Sequence, residues 1–256
     1  DVVDTCGTGG DGAETFNVST AAAIVLAGTG VRVAKHGNRA VSSRAGSADV
    51  FEAFGVPLEV DADRVHRALV NHSLSFFFAP KWHPSMRHAG PVRRSLGVRT
   101  AFNLLGPLTN PAGATRQVVG VPRPEITELV ARALATLGST RVWVVHGAGG
   151  LDELSTLGPT KVSEVRDGQV TAFYVHPSDA GLPLGYRAAL TGGTGADNAA
   201  IVGRILDGEP GPRRDIVLLN AAAALVVAGR GSTLKEGVAE AAASIDSARA
   251  AAALDG

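Results

Sequence analysis

The sequence predicts an α/β fold, in which a central, largely parallel sheet is flanked by helices. Two observations lead to this prediction. Short runs rich in β-branched residues recur along the chain and are bounded by glycine, as is typical of buried strands. Longer helical patterns separate them, and this alternation favours parallel strands joined by crossover helices. With 256 residues, the chain is long enough for one large domain, or for one large and one small domain.

Four runs are predicted to be strands. Val2 and Val3 form the first, and the others lie at 31–34, at 141–145 and, with a weaker pattern, at 161–165. Seven helices are predicted between and after these strands, and they cover residues 19–27, 48–54, 62–73, 124–137, 198–207, 216–228 and 234–254.

Two segments interrupt the alternation. Residues 80–95 combine Trp, His, Met and Arg and have little strand propensity, which predicts helices or a lid outside the sheet. Residues 106–116 contain several Gly, Pro and Asn, and they predict a connecting loop at which the chain could cross between domains.

Charge and composition exclude several classes of protein. Lys and Arg total 24, as do Asp and Glu, so the net charge is zero and the broad basic surface of a nucleic-acid-binding protein is not expected. No apolar run approaches the ~20 residues of a membrane span, and no signal-peptide pattern is present. Cys6 is the single cysteine, which excludes an internal disulfide and favours a reducing cytoplasm. Because the first residue is Asp1, we expect the sequence to begin inside a larger protein.

The first candidate site is the glycine-rich segment from Gly7 to Gly12, which follows the first strand. Glycine lets backbone N–H groups approach phosphate oxygens, and the start of the next helix adds donors and the positive end of its dipole. The spacing matches neither the Walker pattern nor the dinucleotide-binding pattern. The segment therefore predicts an anion-binding loop. The alternatives are a tight turn and, for Asn17, Ser19 and Thr20, ordinary helix capping.

The second candidate site is residues 35–49, which follow the strand at 31–34 and surround two glycines with cationic side chains and three serines. A diphosphate or sugar phosphate requires such a density of donors, whereas a surface loop does not. Because neighbouring parallel strands end at the same edge of a sheet, this second anion-binding loop should face the same crevice as the first. Two alternatives stay open, namely a hydrogen-bonded core histidine for His36 and a helix N-cap for Ser47 to Asp49.

The third candidate site is the pair Asp152 and Glu153, which follows the strand at 141–145 and a run of glycines. Adjacent carboxylates at the end of a parallel strand, beside a phosphate site, suit Mg²⁺, because this ion takes hard oxygen ligands and keeps waters and substrate phosphates. The alternative is that both acids occupy the first turn of a helix, where they complement the dipole.

The fourth candidate site is Arg93 and Arg94, within the segment 80–95. A guanidinium there could hold a carboxylate in a bidentate fork, and the alternative is a solvated basic face. No second histidine lies four residues from His66, His72, His83 or His88 and no cysteine is near them in the sequence, which excludes a zinc site. The absence of a Gly-x-Ser-x-Gly motif argues against a serine hydrolase.

In this order, the motifs resemble those of the anthranilate phosphoribosyltransferase family, and the resemblance covers nearly the whole chain. It rests on residues 7–12, 15–20, 35–49, 99–111 (Arg-Thr-Ala-Phe-Asn-Leu-Leu-Gly-Pro-Leu-Thr-Asn-Pro), 151–155 (Leu-Asp-Glu-Leu-Ser) and 214–222 (Arg-Asp-Ile-Val-Leu-Leu-Asn-Ala-Ala). Members of this family join anthranilate to phosphoribosyl pyrophosphate in tryptophan biosynthesis. Several long motifs in order are far more specific than a single glycine loop.

The resemblance implies which residues bind the substrates and the metal. Those for phosphoribosyl pyrophosphate are Gly7, Gly10, Asp11, Thr15, Asn17, Val18, Ser19, Thr20, Lys35, His36, Gly37, Asn38, Arg39, Ala40, Val41, Ser42, Ser43 and Ser47. Those for anthranilate are Gly7, Asn38 and Arg93, and those for two Mg²⁺ ions are Ser19, Asp152 and Glu153.

The reaction implied by the resemblance is transfer at the anomeric carbon of the ribose, with inversion of configuration and departure of pyrophosphate. The metal ions and the cationic loops would neutralise the charge that grows on the leaving group. Arg93 and Asn38 are the expected catalytic residues that position anthranilate. An aryl amine attacks as its free base, so no strong general base is required, and His36 is the candidate to receive the proton.

The resemblance also divides the chain. Residues 1–59 and 97–256 would form the α/β domain that binds phosphoribosyl pyrophosphate, and residues 60–96 would be a helical insertion that belongs to a small helical domain. Family members begin with further helices of that small domain, which commonly take part in dimer formation. Since the sequence starts at the first strand, we expect 60–96 to expose apolar surface. The expected partners are the two small substrates and, for the intact protein, a second copy, with no nucleic acid and no membrane.

Two competing interpretations stay open at this point. A pyrimidine nucleoside phosphorylase shares the architecture and also transfers a ribosyl group, but the run Lys35 to Arg39 and the paired acids favour the transferase. A non-catalytic, nucleic-acid-binding relative of the same fold is disfavoured by the zero net charge and by the retained acids Asp152 and Glu153.

Overall fold

A computed structural model of the chain describes residues 1–9, 11–40, 44–86, 88–89, 95 and 100–256. Within these residues the chain forms one seven-stranded sheet with the strand order β3-β2-β1-β4-β5-β6-β7. The strands are β1 (Val3–Gly7), β2 (Val33–Gly37), β3 (Leu74–Phe78), β4 (Arg116–Gly120), β5 (Arg141–Gly147), β6 (Thr160–Arg166) and β7 (Gln169–Val175).

Helices connect and flank these strands. They are α1 (Val18–Gly28), α2 (Ser47–Ala53), α3 (Ala62–His72), α4 (Ala79–Trp82), α5 (Phe102–Leu105), α6 (Thr127–Thr136), α7 (Gly195–Leu206), α8 (Pro212–Ala228), α9 (Leu234–Asp246) and α10 (Arg249–Asp255). Single 3₁₀ turns cover Gly106–Thr109, Pro124–Ile126, Pro177–Ala180 and Arg187–Leu190.

The predicted α/β fold with a largely parallel sheet is confirmed. Strands β1 to β5 pair in parallel, whereas β6 and β7 continue the sheet in antiparallel fashion. Since β1 connects to β2 on one side and β4 lies on its other side, the strand order reverses between β1 and β4. Ligands of open α/β sheets bind outside the carboxyl ends of the strands at such a reversal.

The core consists of two layers on opposite faces of the sheet. On one face, α1 packs against β1 and α8, and nearly all of its residues are buried. A helix that is apolar all round is expected only where neighbours cover it on every side. On the other face, α6 packs against β5, β6 and β7, with Val130 and Leu134 against Val142 and Val144. In the described part of the chain, no helix has the length and apolarity to cross a bilayer.

The four predicted strands are present, but three strands were not predicted, namely β3, β4 and β7. The prediction of one helix over 234–254 was wrong, because the helix ends at Asp246 and a new one starts at Arg249. Ala248 between them has a φ of 58°, in the left-handed region. This break directs the last helix onto α1, where a Cβ at Gly28 would lie 2.5 Å from the backbone nitrogen of Ala250.

The structure also redefines part of the predicted helical insertion at 60–96. Residues Leu74–Phe78 are fully buried and form an edge strand parallel to β2, and α3 packs against this strand. This stretch belongs to the sheet rather than to a separate helical unit. The division of the chain into two domains stays a prediction.

Candidate active site

Four neighbouring parallel strands end in glycine at the same edge of the sheet. These residues are Gly7 of β1, Gly37 of β2, Gly120 of β4 and Gly147 of β5. A Cβ at Gly7 would lie 2.5 Å from Oδ2 of Asp152, and one at Gly120 would overlap the Asp152 carbonyl oxygen. The glycines therefore allow the segment that follows β5 to lie directly on the strand ends.

That segment carries the two acids predicted to bind a metal ion. Asp152 and Glu153 lie in an irregular loop rather than in the first turn of a helix, so the helical alternative was wrong. Oδ2 of Asp152 accepts a 2.9 Å hydrogen bond from the backbone amide of Gly9. Asp152 is therefore in direct contact with the glycine-rich loop, as predicted from the separate motifs.

Glu153 points instead to the start of α1. Its Oε1 accepts a 3.1 Å hydrogen bond from the backbone amide of Ser19, in the first turn of the helix. The positive end of the helix dipole and the free amides of this turn suit an anion. The two acids thus contact both elements of the first predicted anion site.

The three acids Asp11, Asp152 and Glu153 form one electronegative cluster. Burial and the neighbouring charge of Asp11 raise the pKa of Asp152 to about 7. Burial and the charge of Asp152 raise the pKa of Glu153 to about 8, against the opposing influence of Lys35. Buried carboxylates that repel one another need a cation to be stable in ionised form.

The residues present fit a magnesium ion. Asp152 and Glu153 supply hard oxygen donors, and Mg²⁺ is commonly bound by only one or two carboxylates together with substrate phosphates and waters. Among the residues that the structure describes, no set of three or more His, Cys, Asp or Glu side chains surrounds one point as a complete metal cage.

The glycine-rich loop is fixed by its own side chains. Oδ1 of Asp11 accepts a hydrogen bond from the amide of Ala13, and its Oδ2 accepts one from the amide of Asp152. Thr15 forms an isolated β-bridge with Thr191. Asn17 occupies the N-cap position of α1, but its side chain donates to the carbonyl oxygen of Ala45 and caps no helical amide. The capping alternative was therefore wrong for Asn17.

The second predicted loop is closed by Asp49. Oδ2 of Asp49 accepts hydrogen bonds from the amides of Ala40 and Gly46, so the helix-capping alternative holds for this residue. Arg39, predicted to bind phosphate, makes a bidentate ion pair with Glu52 and a further contact with Asp49. These acids raise the pKa of Arg39 and already balance its charge.

Lys35 lies beneath the site. It is 1% exposed, and its Nζ donates to the carbonyl oxygen of Thr5. Burial lowers the pKa of Lys35, whereas Asp4 and Glu153 oppose this shift. The ammonium group therefore acts on Glu153 from the buried side of the site rather than from the solvent side.

His36 is buried and paired at both ring nitrogens. Nδ1 lies 3.2 Å from the carbonyl oxygen of Gly106, and Nε2 lies 3.1 Å from Nε2 of His83. A carbonyl only accepts, so Nδ1 carries the proton and Nε2 accepts from His83. Burial lowers the pKa of His36, which keeps the ring neutral. The alternative of a hydrogen-bonded core histidine therefore describes this geometry, and a proton could reach His36 only by way of His83.

Most of the predicted residues meet at one edge of the sheet. Those at the carboxyl ends of β1 and β2 and at the start of α1 are Gly7, Asp11, Thr15, Asn17, Val18, Ser19, Thr20, His36, Gly37, Asn38, Arg39, Ala40 and Ser47. A Cβ at Gly37 would overlap Oγ of Ser47, so the start of α2 packs on the end of β2. The predictions for Gly10, Val41, Ser42, Ser43, Arg93 and Arg94 lie outside the described residues.

Three polar residues of the site were not predicted. His83 contacts His36, as described above. Asn198 is 2% exposed and donates to Oδ1 of Asn17. Asn220, in the apolar helix α8, accepts from the amide of Leu154 and donates to its carbonyl oxygen. An asparagine within an apolar helix is a signal that could have been used, because a buried amide must find partners.

The chain is similar to known proteins over nearly its whole length. Residues 1–251 match the family model described as the α/β domain of a glycosyl transferase family. The chain is 56% identical over 256 residues to the anthranilate phosphoribosyltransferase of Caulobacter vibrioides and covers 75% of that protein.

Two solved structures are similar over almost the whole chain. The anthranilate phosphoribosyltransferase of Thermus thermophilus is 50% identical, with a TM-score of 0.93, and the match covers 99% of this chain and 76% of that one. The enzyme of Saccharomyces cerevisiae, in complex with PRPP and Mg, is 32% identical, with a TM-score of 0.89 and coverages of 99% and 72%. The same yeast enzyme has also been solved in complex with 4-fluoroanthranilate.

Proposed function

Because the chain belongs to the anthranilate phosphoribosyltransferase family, we propose that the cluster at the carboxyl ends of β1, β2 and β5 is its active site. The chain has anthranilate phosphoribosyltransferase activity, which joins the phosphoribosyl group of phosphoribosyl pyrophosphate to the amine of anthranilate and releases pyrophosphate. One observation carries the location of the site. The loop with Asp152 and Glu153 packs against strand ends that are glycine. Asp152 accepts a hydrogen bond from the amide of Gly9, and Glu153 accepts one from the amide of Ser19.

The first step is the binding of phosphoribosyl pyrophosphate by the two anion loops. The amides at the start of α1 and the glycine-rich loop provide donors for phosphate oxygens. Asp49 holds the second loop in shape through Ala40 and Gly46. The resemblance supports binding by the residues named above, including Arg39 if its guanidinium leaves Glu52.

Asp152, Glu153 and Ser19 are proposed to hold Mg²⁺. When bound, the ion supplies positive charge that stabilises the departing pyrophosphate. The chain's own residues contribute the buried Lys35 ammonium below Glu153, which keeps that acid closer to its ionised, ligand-competent form. We propose two ions, because Asp152 faces the glycine loop whereas Glu153 faces α1. Titration with Mn²⁺ in the presence of phosphoribosyl pyrophosphate tests this number.

Anthranilate is proposed to bind at Gly7, Asn38 and Arg93. Positioning of the amine against the anomeric carbon supplies the proximity contribution to catalysis. An aryl amine loses its proton readily once the new bond forms, and His83 is the half-buried, outer member of the His36–His83 pair that could receive it. Attack from the face opposite pyrophosphate gives inversion.

The decisive experiment follows the fluorescence of anthranilate. A mixture of the chain, phosphoribosyl pyrophosphate and Mg²⁺ should consume anthranilate, and EDTA should stop this reaction. The double variant Asp152→Asn/Glu153→Gln should be inactive while it folds like the parent. An active double variant would show that neither acid is required for the reaction. An inactive parent would contradict the function of this chain.

The oligomeric state is proposed on the family resemblance. The intact protein is proposed to be a homodimer, so light scattering should give twice the mass of one chain. A mass equal to that of one chain would contradict this proposal.

A cytoplasmic location is proposed because the free, buried thiol of Cys6 suits a reducing compartment. Cell fractionation tests it, and enrichment outside the cytoplasm would contradict it.

A further inference from the structure

A directional relay of side-chain amides connects three segments around the site. The backbone amide of Gly193 donates a 2.7 Å hydrogen bond to Oδ1 of Asn198. Nδ2 of Asn198 donates a 2.8 Å bond to Oδ1 of Asn17. Nδ2 of Asn17 then donates a 3.1 Å bond to the carbonyl oxygen of Ala45. Asn198 is 2% exposed, so water does not replace these bonds at no cost.

The direction of every bond in this relay is fixed by its two ends. The carbonyl of Ala45 can only accept, so Asn17 must turn its NH₂ group toward it and its oxygen toward Asn198. The amide of Gly193 can only donate, so Asn198 must turn its oxygen toward Gly193 and its NH₂ group toward Asn17. An amide at position 198 satisfies both neighbours, whereas a carboxylate does not, because it cannot donate to Asn17.

The relay joins parts of the chain that come from distant positions. Asn17 ends the glycine-rich loop, and Ala45 belongs to the loop that follows β2. The turn at 192–193 is itself attached to the first loop, because the amide of Gly192 donates to the carbonyl oxygen of Glu14. A Cβ at Gly192 would lie 2.7 Å from Cα of Phe16, which shows how closely the segments approach.

We propose that Asn198 is a positioning residue that sets the distance between the two anion loops. This inference rests on the proposed function, in which both loops bind the same molecule of phosphoribosyl pyrophosphate. A substrate held at two loops loses affinity when their spacing is no longer fixed, because each loop must then be ordered on binding. Asn198 is not among the residues proposed to bind either substrate, and it acts through Asn17.

The test compares Asn198→Ala with Asn71→Ala, a control at an exposed position of α3. Asn198→Ala should raise the KM for phosphoribosyl pyrophosphate on the order of tenfold, as expected for lost buried hydrogen bonds. The KM for anthranilate and kcat should stay near those of the parent. A merely structural role would lower the melting temperature and the active fraction without this split, and that outcome would overturn the proposal.

A double-mutant cycle and a measurement on the parent protein complete the test. Asn17→Ala and Asn198→Ala should be strongly non-additive in the KM for phosphoribosyl pyrophosphate, because they break the same relay. Additive effects would contradict it. In the parent, phosphoribosyl pyrophosphate with Mg²⁺ should slow hydrogen exchange at the Gly193 amide, and unchanged exchange would also contradict it. If the parent itself consumed no anthranilate, the proposed function would fail instead.

Discussion

The backbone amide of Ser19 and the carboxylate of Glu153, 134 residues apart in the sequence, are joined by a 3.1 Å hydrogen bond. The contact links the start of α1, which is proposed to bind phosphate, to an acid proposed to hold Mg²⁺. It forms because the strands between them end in glycine, so the segment after β5 can lie against β1 and α1. A change of charge at Glu153 therefore affects both the start of α1 and the proposed metal site. The first prediction follows from this contact.

Glu153→Gln should stabilise the metal-free protein and reduce its activity. The amide still accepts from Ser19 but carries no charge beside Asp152, so the melting temperature in EDTA should rise at a pH above about 8, where Glu153 is ionised. Loss of one carboxylate proposed to hold Mg²⁺, the ion that would stabilise the leaving group, should lower turnover about 10²-fold. Thermal melts and anthranilate fluorescence measure the two effects.

Glu128→Gln is the matched control for this substitution. Glu128 is half exposed and pairs with Arg132 on α6, so its replacement should change neither quantity appreciably. Turnover in Glu153→Gln equal to that of the parent would show that this acid is not required.

Gly7→Ala should impair the site without unfolding the protein. The added methyl group would lie 2.5 Å from Oδ2 of Asp152 and would displace this carboxylate from the amide of Gly9. A displacement of about 1 Å in a catalytic group can cost 10²-fold in rate. The initial rate and the Mg²⁺ concentration for half-maximal activity are the quantities to measure.

Gly203→Ala separates this effect from the general effect of replacing glycine. Gly203 lies within α7, where an added Cβ meets no atom within 4 Å. Alanine should stabilise this helix by about 0.5–1 kcal/mol and leave the rate unchanged. If Gly7→Ala were as active as Gly203→Ala, the strand end would not need glycine.

The strands that were not predicted show which signals were overlooked. Asp167 and Gly168 both have positive φ, 51° and 77°, and they form the two-residue turn between β6 and β7. An Asp-Gly pair between such runs is a strong hairpin signal, although β7 itself has an exposed edge and a weak apolar pattern. Residues 74–78 were assigned to a helical insertion because the family resemblance placed the whole of 60–96 in the small helical domain.

The site was predictable where chemistry is local and not where it depends on distant contacts. The glycine loop and the acids Asp152 and Glu153 carry their chemistry in adjacent residues, and the parallel sheet brings them together. Asn198 and Asn220 contribute single amides whose partners lie 181 and 66 residues away. No local pattern encodes such partners. The same holds for His83, whose role appears only beside His36.

His36 should make the protein less stable as the pH falls. Burial, His83 and Lys35 lower its pKa, whereas Asp4 raises it, and the ring stays neutral in the folded state. In the unfolded chain the ring takes up a proton below about pH 6.5. The stabilisation is therefore complete above that pH and is lost as the pH falls toward the folded-state pKa.

His36→Gln should lose less stability than the parent between about pH 7 and pH 5. Chemical denaturation at several pH values measures the unfolding free energy of each protein. Subtracting the two pH profiles removes the contributions of the acids that both proteins share. His66→Gln, at an exposed position of α3, should follow the parent. If the unfolding free energies of His36→Gln and the parent changed in parallel with pH, the His36 ring would titrate alike in the folded and unfolded states.

Asn220→Asp should loosen the loop that carries the paired acids. The amide of Asn220 accepts from the Leu154 amide and donates to the carbonyl oxygens of Leu154 and Ile216, each at 2.9 Å. A carboxylate keeps the first bond but turns an acceptor toward two other acceptors, inside the core. Burying such a group should cost about 3 kcal/mol of unfolding free energy.

The position of Leu154, directly after Glu153, gives this substitution a second and more specific effect. If Asn220 holds the acids in place, the Mg²⁺ concentration for half-maximal activity should rise on the order of tenfold in the fraction that remains folded. Asn71→Asp, which adds the same charge at the surface of α3, should leave it unchanged. Lower stability with an unchanged Mg²⁺ requirement would restrict Asn220 to packing of α8.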